Sequence, residues 1–277
     1  TKIYSVAGLL KKNQSIITGR PFRSPHHTVS AIALAGGGTI PKPGEISLSH
    51  NGVLFLDELP EFNRNALEVM RQPLEDREVT IARIHGKYVY PAGFMLVAAR
   101  NPCPCGMYPD LNKCTCSYRQ IRQYNAKISR PLLDRIDINV NVQKVAYEDL
   151  LGTKKAETSA QIRKRVLAAQ KIQRERYRSE SFHFNSQLDG RRTQKYIKLG
   201  SAEEAMIRDV FEETDLSARG YNRVLKIART IADLDGSPEI REIHLKEALF
   251  FRYQNLLEDG ETGRNRSYGK GAFGYGS

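Results

Sequence analysis

The chain lacks any apolar run near the roughly 18 residues that a membrane helix needs, so a helical membrane protein is excluded. No secretory leader opens it either, and a cytoplasmic protein is the expectation. Acidic residues are in short supply: 31 Asp and Glu stand against 43 Lys and Arg, a net charge of +12. That excess fits a polyanionic partner, most simply nucleic acid, although a basic protein with an acidic partner subunit has the same composition. Cysteine is scarce and confined, with four residues all between 103 and 116, which is unlike a disulfide scaffold. Also missing is G-x-x-x-x-G-K-[S/T], the loop whose amides and lysine hold nucleotide phosphates. Gly36-Gly37-Gly38 reads as a mobile loop, and Gly269-Lys270-Gly271 lacks both the hydroxyl and a preceding strand. The length of 277 residues allows one large domain or two modest ones.

What is present is organised around Gly52-Val53-Leu54-Phe55-Leu56-Asp57-Glu58-Leu59-Pro60. A short apolar run between Asn51-Gly52 and Pro60 predicts a strand covered on both faces, as in a parallel sheet. Ligands of open α/β sheets bind at the carboxyl ends of strands, and Asp57 and Glu58 stand there. The first carboxylate of such a pair suits Mg²⁺, and the second suits orienting a water. The bland alternative is an acidic helix N-terminus favoured by the helix dipole. A second apolar strand, Phe94–Ala99, ends in Arg100-Asn101-Pro102. Asn101 is either a phosphate- or water-binding amide or a turn cap.

Other segments fill in around these. A helix-like stretch over 3–10 precedes the basic segment Arg20-Pro21-Phe22-Arg23-Ser24-Pro25-His26-His27, whose prolines argue against helix. A helix is expected over 29–34, a short one over 45–50, and a longer one over 63–74. Residues 77–91 alternate as a β-hairpin with a basic tip, Arg83, His85 and Lys87, which an ordinary solvated hairpin end would also show. The cysteines read C-x-C, eight residues, C-x-C: Cys103, Cys105, Cys114 and Cys116. Either a structural Zn²⁺ site or a buried, redox-inert cluster fits that spacing. A basic helix over 117–129 leads to Pro131–Asp134, then to a last strand over 136–142. Arg135 lies between Asp134 and Asp137, where a local ion pair is the plain reading. From Val145 onward helical periodicity takes over, with helices near 146–151, 159–177, 202–214, 218–234 and 241–257, and with caps at Ser201 and Ser217. The tail from 258 to 277, rich in Gly, Arg, Ser and Tyr, reads as disordered.

In order, Arg20-Pro-Phe-Arg-Ser-Pro-His-His, Pro43-Gly-Glu-Ile-Ser-Leu, 52–62, 74–102, Cys103-Pro-Cys-Gly, Pro131-Leu-Leu-Asp-Arg-Ile-Asp and 217–234 resemble the AAA+ ATPases, closely the magnesium-chelatase-like family of YifB and ComM. The resemblance implies an α/β fold: an AAA+ parallel-sheet core over 1–144, incomplete without its P-loop, with a pre-sensor-1 β-hairpin, then an α-helical lid domain over 145–257. It implies ATP and Mg²⁺ as cofactors, Asp57 and Glu58 as the Walker B pair, and Asn101 as sensor 1. Arg135 matches the arginine finger, Arg219 the sensor 2 arginine, and Arg223 a weaker candidate one turn on. Members of the family carry a P-loop upstream, so the chain is expected to be a fragment.

Three functions remain in view. The first is an ATP-driven motor on DNA of the helicase or branch-migration type, a homo-hexameric ring with Arg83, His85 and Lys87 on the DNA. The second is a chelatase-type ATPase that remodels a protein partner. The third is an inactive, DNA-binding piece of either.

Overall fold

The computed structural model describes residues 1–13, 15–84, 86–142, 145, 147, 157–214 and 216–258, with side chains as far as Arg252. It forms two compact units, Thr1–Ile136 and Asp137–Ser277. The expected boundary at 144/145 falls in 143–156, of which only Val145 and Tyr147 are described.

The first unit opens with α1 (Lys2–Val6), shorter than the expected 3–10, and β1 (Phe22–Arg23). Helix α2 (Ala31–Ala35) is capped by Ser30, whose Oγ accepts from the Ala33 N–H, and this moves its start past Val29. The glycine stretch that reads as a mobile loop is instead tied down. Gly36-Gly37 (β2) pairs antiparallel with Lys42-Pro43 (β3). Then come α3 (Glu45–Leu48), β4 (Val53–Leu56), a 3₁₀ turn (Leu59–Glu61), α4 (Arg64–Glu68) and α5 (Arg71–Asp76). The single helix expected over 63–74 is two because of Pro73. Proline has no N–H to give the Val69 carbonyl, and its ring crowds that position.

The hairpin forms as expected, β5 (Glu78–Arg83) against β6 (Gly86–Pro91), in register from Glu78↔Pro91 to Arg83↔Gly86. It is followed by β7 (Met95–Ala98), α6 (Tyr118–Asn125) and α7 (Arg130–Leu133). Strands β1, β4 and β7 make a parallel sheet with β4 in the middle. Gly52 lets β1 and β4 approach at their start, since a Cβ there would lie 1.9 Å from the Pro21 carbonyl oxygen. Leu54 and Leu56 are fully buried against Leu34, Ile46, Leu67, Met70 and Leu132. Cover on both faces of β4 is not what is found: burial alternates along it. Across the sheet, Phe22 (65 % exposed), Met95 (63 %) and Val97 (40 %) stay open.

The expected strand over 136–142 does not form either: among the described residues no ladder hydrogen bonds join it to another strand. The Asn139 N–H is instead taken by the Phe251 carbonyl. In the second unit α8 (Ser159–Arg176), α9 (Gly190–Tyr196), α10 (Ser201–Glu213), α11 (Ala218–Leu234) and α12 (Glu242–Glu258) pack around a core that includes Tyr177, Val224, Ala228 and Leu245. Helix α9 was not expected. It is short and polar, and its start is fixed by Asp189, which accepts from the Arg192 N–H. Ser217 caps α11 as expected, accepting from the Gly220 N–H. Ser201 does not cap α10. Gly200 holds the cap position, and Glu203 and Glu204 face the helix dipole from the first turn. The helix expected over 146–151 lies outside the described residues except for Tyr147, as does the tail from 259.

Candidate functional site

The site is built where the three parallel strands end. Strand β4 delivers Asp57 and Glu58, both exposed, just beyond the buried Leu56. Asp57 turns back and accepts the Glu58 N–H on Oδ1 at 2.9 Å. Glu58 is in the left-handed region, φ 54° and ψ 45°. A non-glycine residue there costs about 1–2 kcal/mol, and the turn holds it because the neighbouring backbone is pinned. The Leu59 N–H donates to the Ala99 carbonyl at 2.9 Å, and the Ala99 N–H to Leu56 at 2.9 Å. These two bonds lock the exit of β4 to the exit of β7. Asn101, exposed, follows two residues later on the same edge. Arg100 beside it donates to Asn125 Oδ1 at 3.1 Å.

Strand β1 brings a residue to this edge that sequence reasoning did not assign. His27 Nδ1 lies 3.2 Å from a Glu58 carboxylate oxygen. No spacing announces this contact: it follows from β1 and β4 running parallel, so that the segment after Arg23 ends beside the segment after Leu56. Arg23 itself forks onto Glu45, with Nε and Nη2 each 2.6 Å from a carboxylate oxygen. The hydrogen bonds it donates to Glu45 hold the guanidinium's pKa above its usual value. That pair ties β1 to α3.

The other expected site residues lie elsewhere. Arg135 follows α7. Its Nη1 donates to the Pro131 carbonyl at 2.7 Å and its Nη2 pairs with Glu75 on α5. The side chain is 13 % exposed, and its buried Nε has no partner. It borders an open depression of about 550 Å³ that Glu75 and Thr80 also line. The ion pair expected with Asp134 or Asp137 is therefore made with Glu75, 60 residues away in sequence. Arg83 folds back from the hairpin onto the Gly38 carbonyl (Nε to O, 3.3 Å), while Lys87 is exposed opposite Ala82. His85 lies outside the described residues. At the tip Ile84 is 99 % exposed, an apolar point beside the two cations. In the second unit Arg219 is exposed on the first turn of α11, and Arg223, one turn on, pairs with Asp137 at 3.1 Å.

The four cysteines converge, with every Sγ within 4.8 Å of the others. Hydrogen bonds from the backbone N–H groups of Met107 and Thr115 lower the Cys105 thiol to about 6. At Cys114 the Cys116 N–H pulls the same way, but loss of water contact and the crowding of Cys105 and Cys103 outweigh it and push the thiol up to about 12.

Parallel strands ending in an acidic pair, an appended hairpin and a separate helical unit define the AAA+ class of α/β fold. The family described as magnesium chelatase, subunit ChlI, matches residues 1–150, and its C-terminal counterpart matches residues 156–252. Competence protein ComM of Haemophilus influenzae is 47% identical over 234 residues, 84% of this chain and 45% of the relative. YifB of Escherichia coli is 44% identical over 234 residues, 84% of this chain and 45% of its own. A Mycobacterium tuberculosis protein is 41% identical over 255 residues, 91% of this chain and 50% of its own. The chain belongs to the magnesium-chelatase-like family that includes ComM and YifB. It spans about half the length of the curated relatives it matches.

Proposed function

We propose that this chain is the strand-end and helical portion of an ATP-hydrolysing AAA+ motor that works on DNA as a homo-hexameric ring. The observation that carries the proposal is the acidic pair Asp57-Glu58 at the end of the central parallel strand, locked beside the exit of β7 that leads to Asn101. The residues fit a magnesium nucleotide: two exposed carboxylates and a carboxamide stand on one edge, and Glu58 is held in a costly backbone conformation.

On this reading Asp57 helps hold Mg²⁺, whose contribution is to neutralise charge on the phosphates. Glu58 orients and deprotonates the attacking water. His27, at hydrogen-bond distance from Glu58, holds that carboxylate in place. Asn101 contacts the terminal phosphate, and the loop that cradles the phosphates belongs to a part of the protein outside these 277 residues. Arg135 serves the nucleotide of a neighbouring subunit, which requires it to leave Glu75 on assembly. Arg219 and Arg223 report nucleotide state from the helical unit. Arg83, His85 and Lys87 give the hairpin a basic tip for DNA phosphates, consistent with the net charge of +12.

A chelatase-type motor that remodels a protein partner is the second reading, favoured by the name both family matches carry. ATP hydrolysis by a longer form that includes the phosphate loop, measured with and without single-stranded or branched DNA, separates the two. Stimulation that weakens steeply with salt and is lost in a Lys87→Ala, Arg83→Ala variant supports the DNA motor. Hydrolysis indifferent to DNA contradicts it.

A further inference from the structure

Between Asn101 and α6 the chain makes a compact turn with no helix or strand of its own, residues 102–117. Such a segment has little apolar material to hold it, yet its four sulfurs are gathered tightly. Cys103 and Cys105 Sγ atoms are 3.4 Å apart, Cys103 and Cys114 3.8 Å, and Cys105 and Cys114 3.6 Å. Tetrahedral zinc with Zn–S bonds of about 2.3 Å sets its sulfurs about 3.8 Å apart along each edge. A disulfide would bring two sulfurs to about 2.05 Å, and here all four cysteines are free.

The backbone is also arranged for thiolates. The Tyr108 N–H donates to Cys103 Sγ at 3.5 Å. An amide hydrogen bond of this kind is the second layer that metal thiolates use to fix ligand direction. Gly106, at φ 75°, makes the turn after the first C-x-C pair, and its N–H donates to the Cys103 carbonyl at 3.0 Å. The two C-x-C pairs approach from opposite ends of the turn, so one ion would join those ends.

We infer that Cys103, Cys105, Cys114 and Cys116 form a structural tetrathiolate site for one Zn²⁺ ion per chain. The ion takes the four sulfurs as thiolates, and protons still on them pass to solvent. No position is left open, so the site is structural rather than catalytic. Its effect is to anchor the segment that starts two residues after Asn101 and ends at Ser117, the cap of α6, so that the exit of β7 has a fixed continuation.

The test is metal analysis of the purified chain, prepared without added metal and with thiols kept reduced. One equivalent of zinc is expected, with the four thiols unreactive toward an aromatic disulfide until a mercurial releases the ion. Growth with Co²⁺ should give the intense visible absorption of a tetrahedral cobalt thiolate. Cys114→Ser with Cys116→Ser should lose the metal and lower the thermal midpoint, whereas Cys116→His should keep it. Should the double variant not fold, the wild-type metal count and thiol protection still decide. Absence of zinc with four freely reactive thiols, two disulfides in the isolated protein, or iron in its place would overturn the assignment.

Discussion

Asp57 follows the last residue of β4 and Asp233 precedes the last residue of α11, yet one carboxylate meets solvent and the other is sealed. Asp233 is 0 % exposed in its side chain. It sits at the negative end of a helix dipole, an unfavourable place for an anion. Two arginines and an amide answer for it. Arg176 pairs with both its oxygens, the Arg229 Nε donates at 3.1 Å and the Asn185 Nδ2 at 2.9 Å. Arg229 also donates to the Ser237 and Pro238 carbonyls, binding the end of α11 to the turn that follows. Burial pulls the Arg229 pKa down, whereas at Arg176 the bonds to Asp233 overcome burial and raise it. Asp57 and Glu58 have a backbone N–H and a histidine between them, and Glu58 is held against its conformational preference. Charges that are fully answered hold a fold together. Charges left partly open at a strained turn are available to a ligand.

Replacing both kinds of carboxylate sharpens that contrast. Asp233→Ala should destabilise the helical unit by about 3–5 kcal/mol, because the buried Arg229 and the partly buried Arg176 lose their anion. Asp57→Asn should change stability by no more than about 0.5 kcal/mol, as for other surface substitutions. Urea unfolding of both variants measures this, and equal losses would erase the distinction. Next in size, Arg23→Met should cost about 1 kcal/mol by removing the bidentate pair that ties β1 to α3, a partly exposed contact that solvent weakens.

A smaller effect is expected at the strained turn. Glu58→Gly removes a left-handed penalty of about 1–2 kcal/mol, and part of this is offset by the added freedom of glycine in the unfolded chain. Thermal unfolding should show stability unchanged or raised. A clear loss would mean that Glu58 is a structural residue. The smallest effect concerns His50, whose Nδ1 accepts the Gly93 N–H at 3.0 Å and is therefore unprotonated there. Burial lowers its pKa below 6.5, so its contribution is present above pH about 6.5 and is lost as pH falls through the folded-state value. His50→Gln should flatten stability across that window.

Much of this was legible in advance where a local rule carries the information. The apolar run ending in Asp57-Glu58, the hairpin pattern over 77–91 and the 3.6 period of 218–234 each name their element. What stayed hidden depends on pairing across distance. Arg135 finds Glu75, and His27 finds Glu58, through contacts that no spacing announces. Arg176 gives no sign in the sequence that it anchors Asp233, whose side chain is fully buried. The residues over 136–142 have strand-like composition, but a strand also needs a partner edge, and α12 takes the Asn139 N–H instead.

Whether the strand-end pair is a nucleotide site is tested most directly by Glu58→Gln in a longer form carrying the phosphate loop, with ATP binding and hydrolysis measured on the same preparation. The account predicts that ATP still binds in the presence of Mg²⁺ while turnover falls by at least about 100-fold, the scale of a lost general base. Turnover within a few-fold of the unaltered protein would show that Glu58 does not serve the reaction.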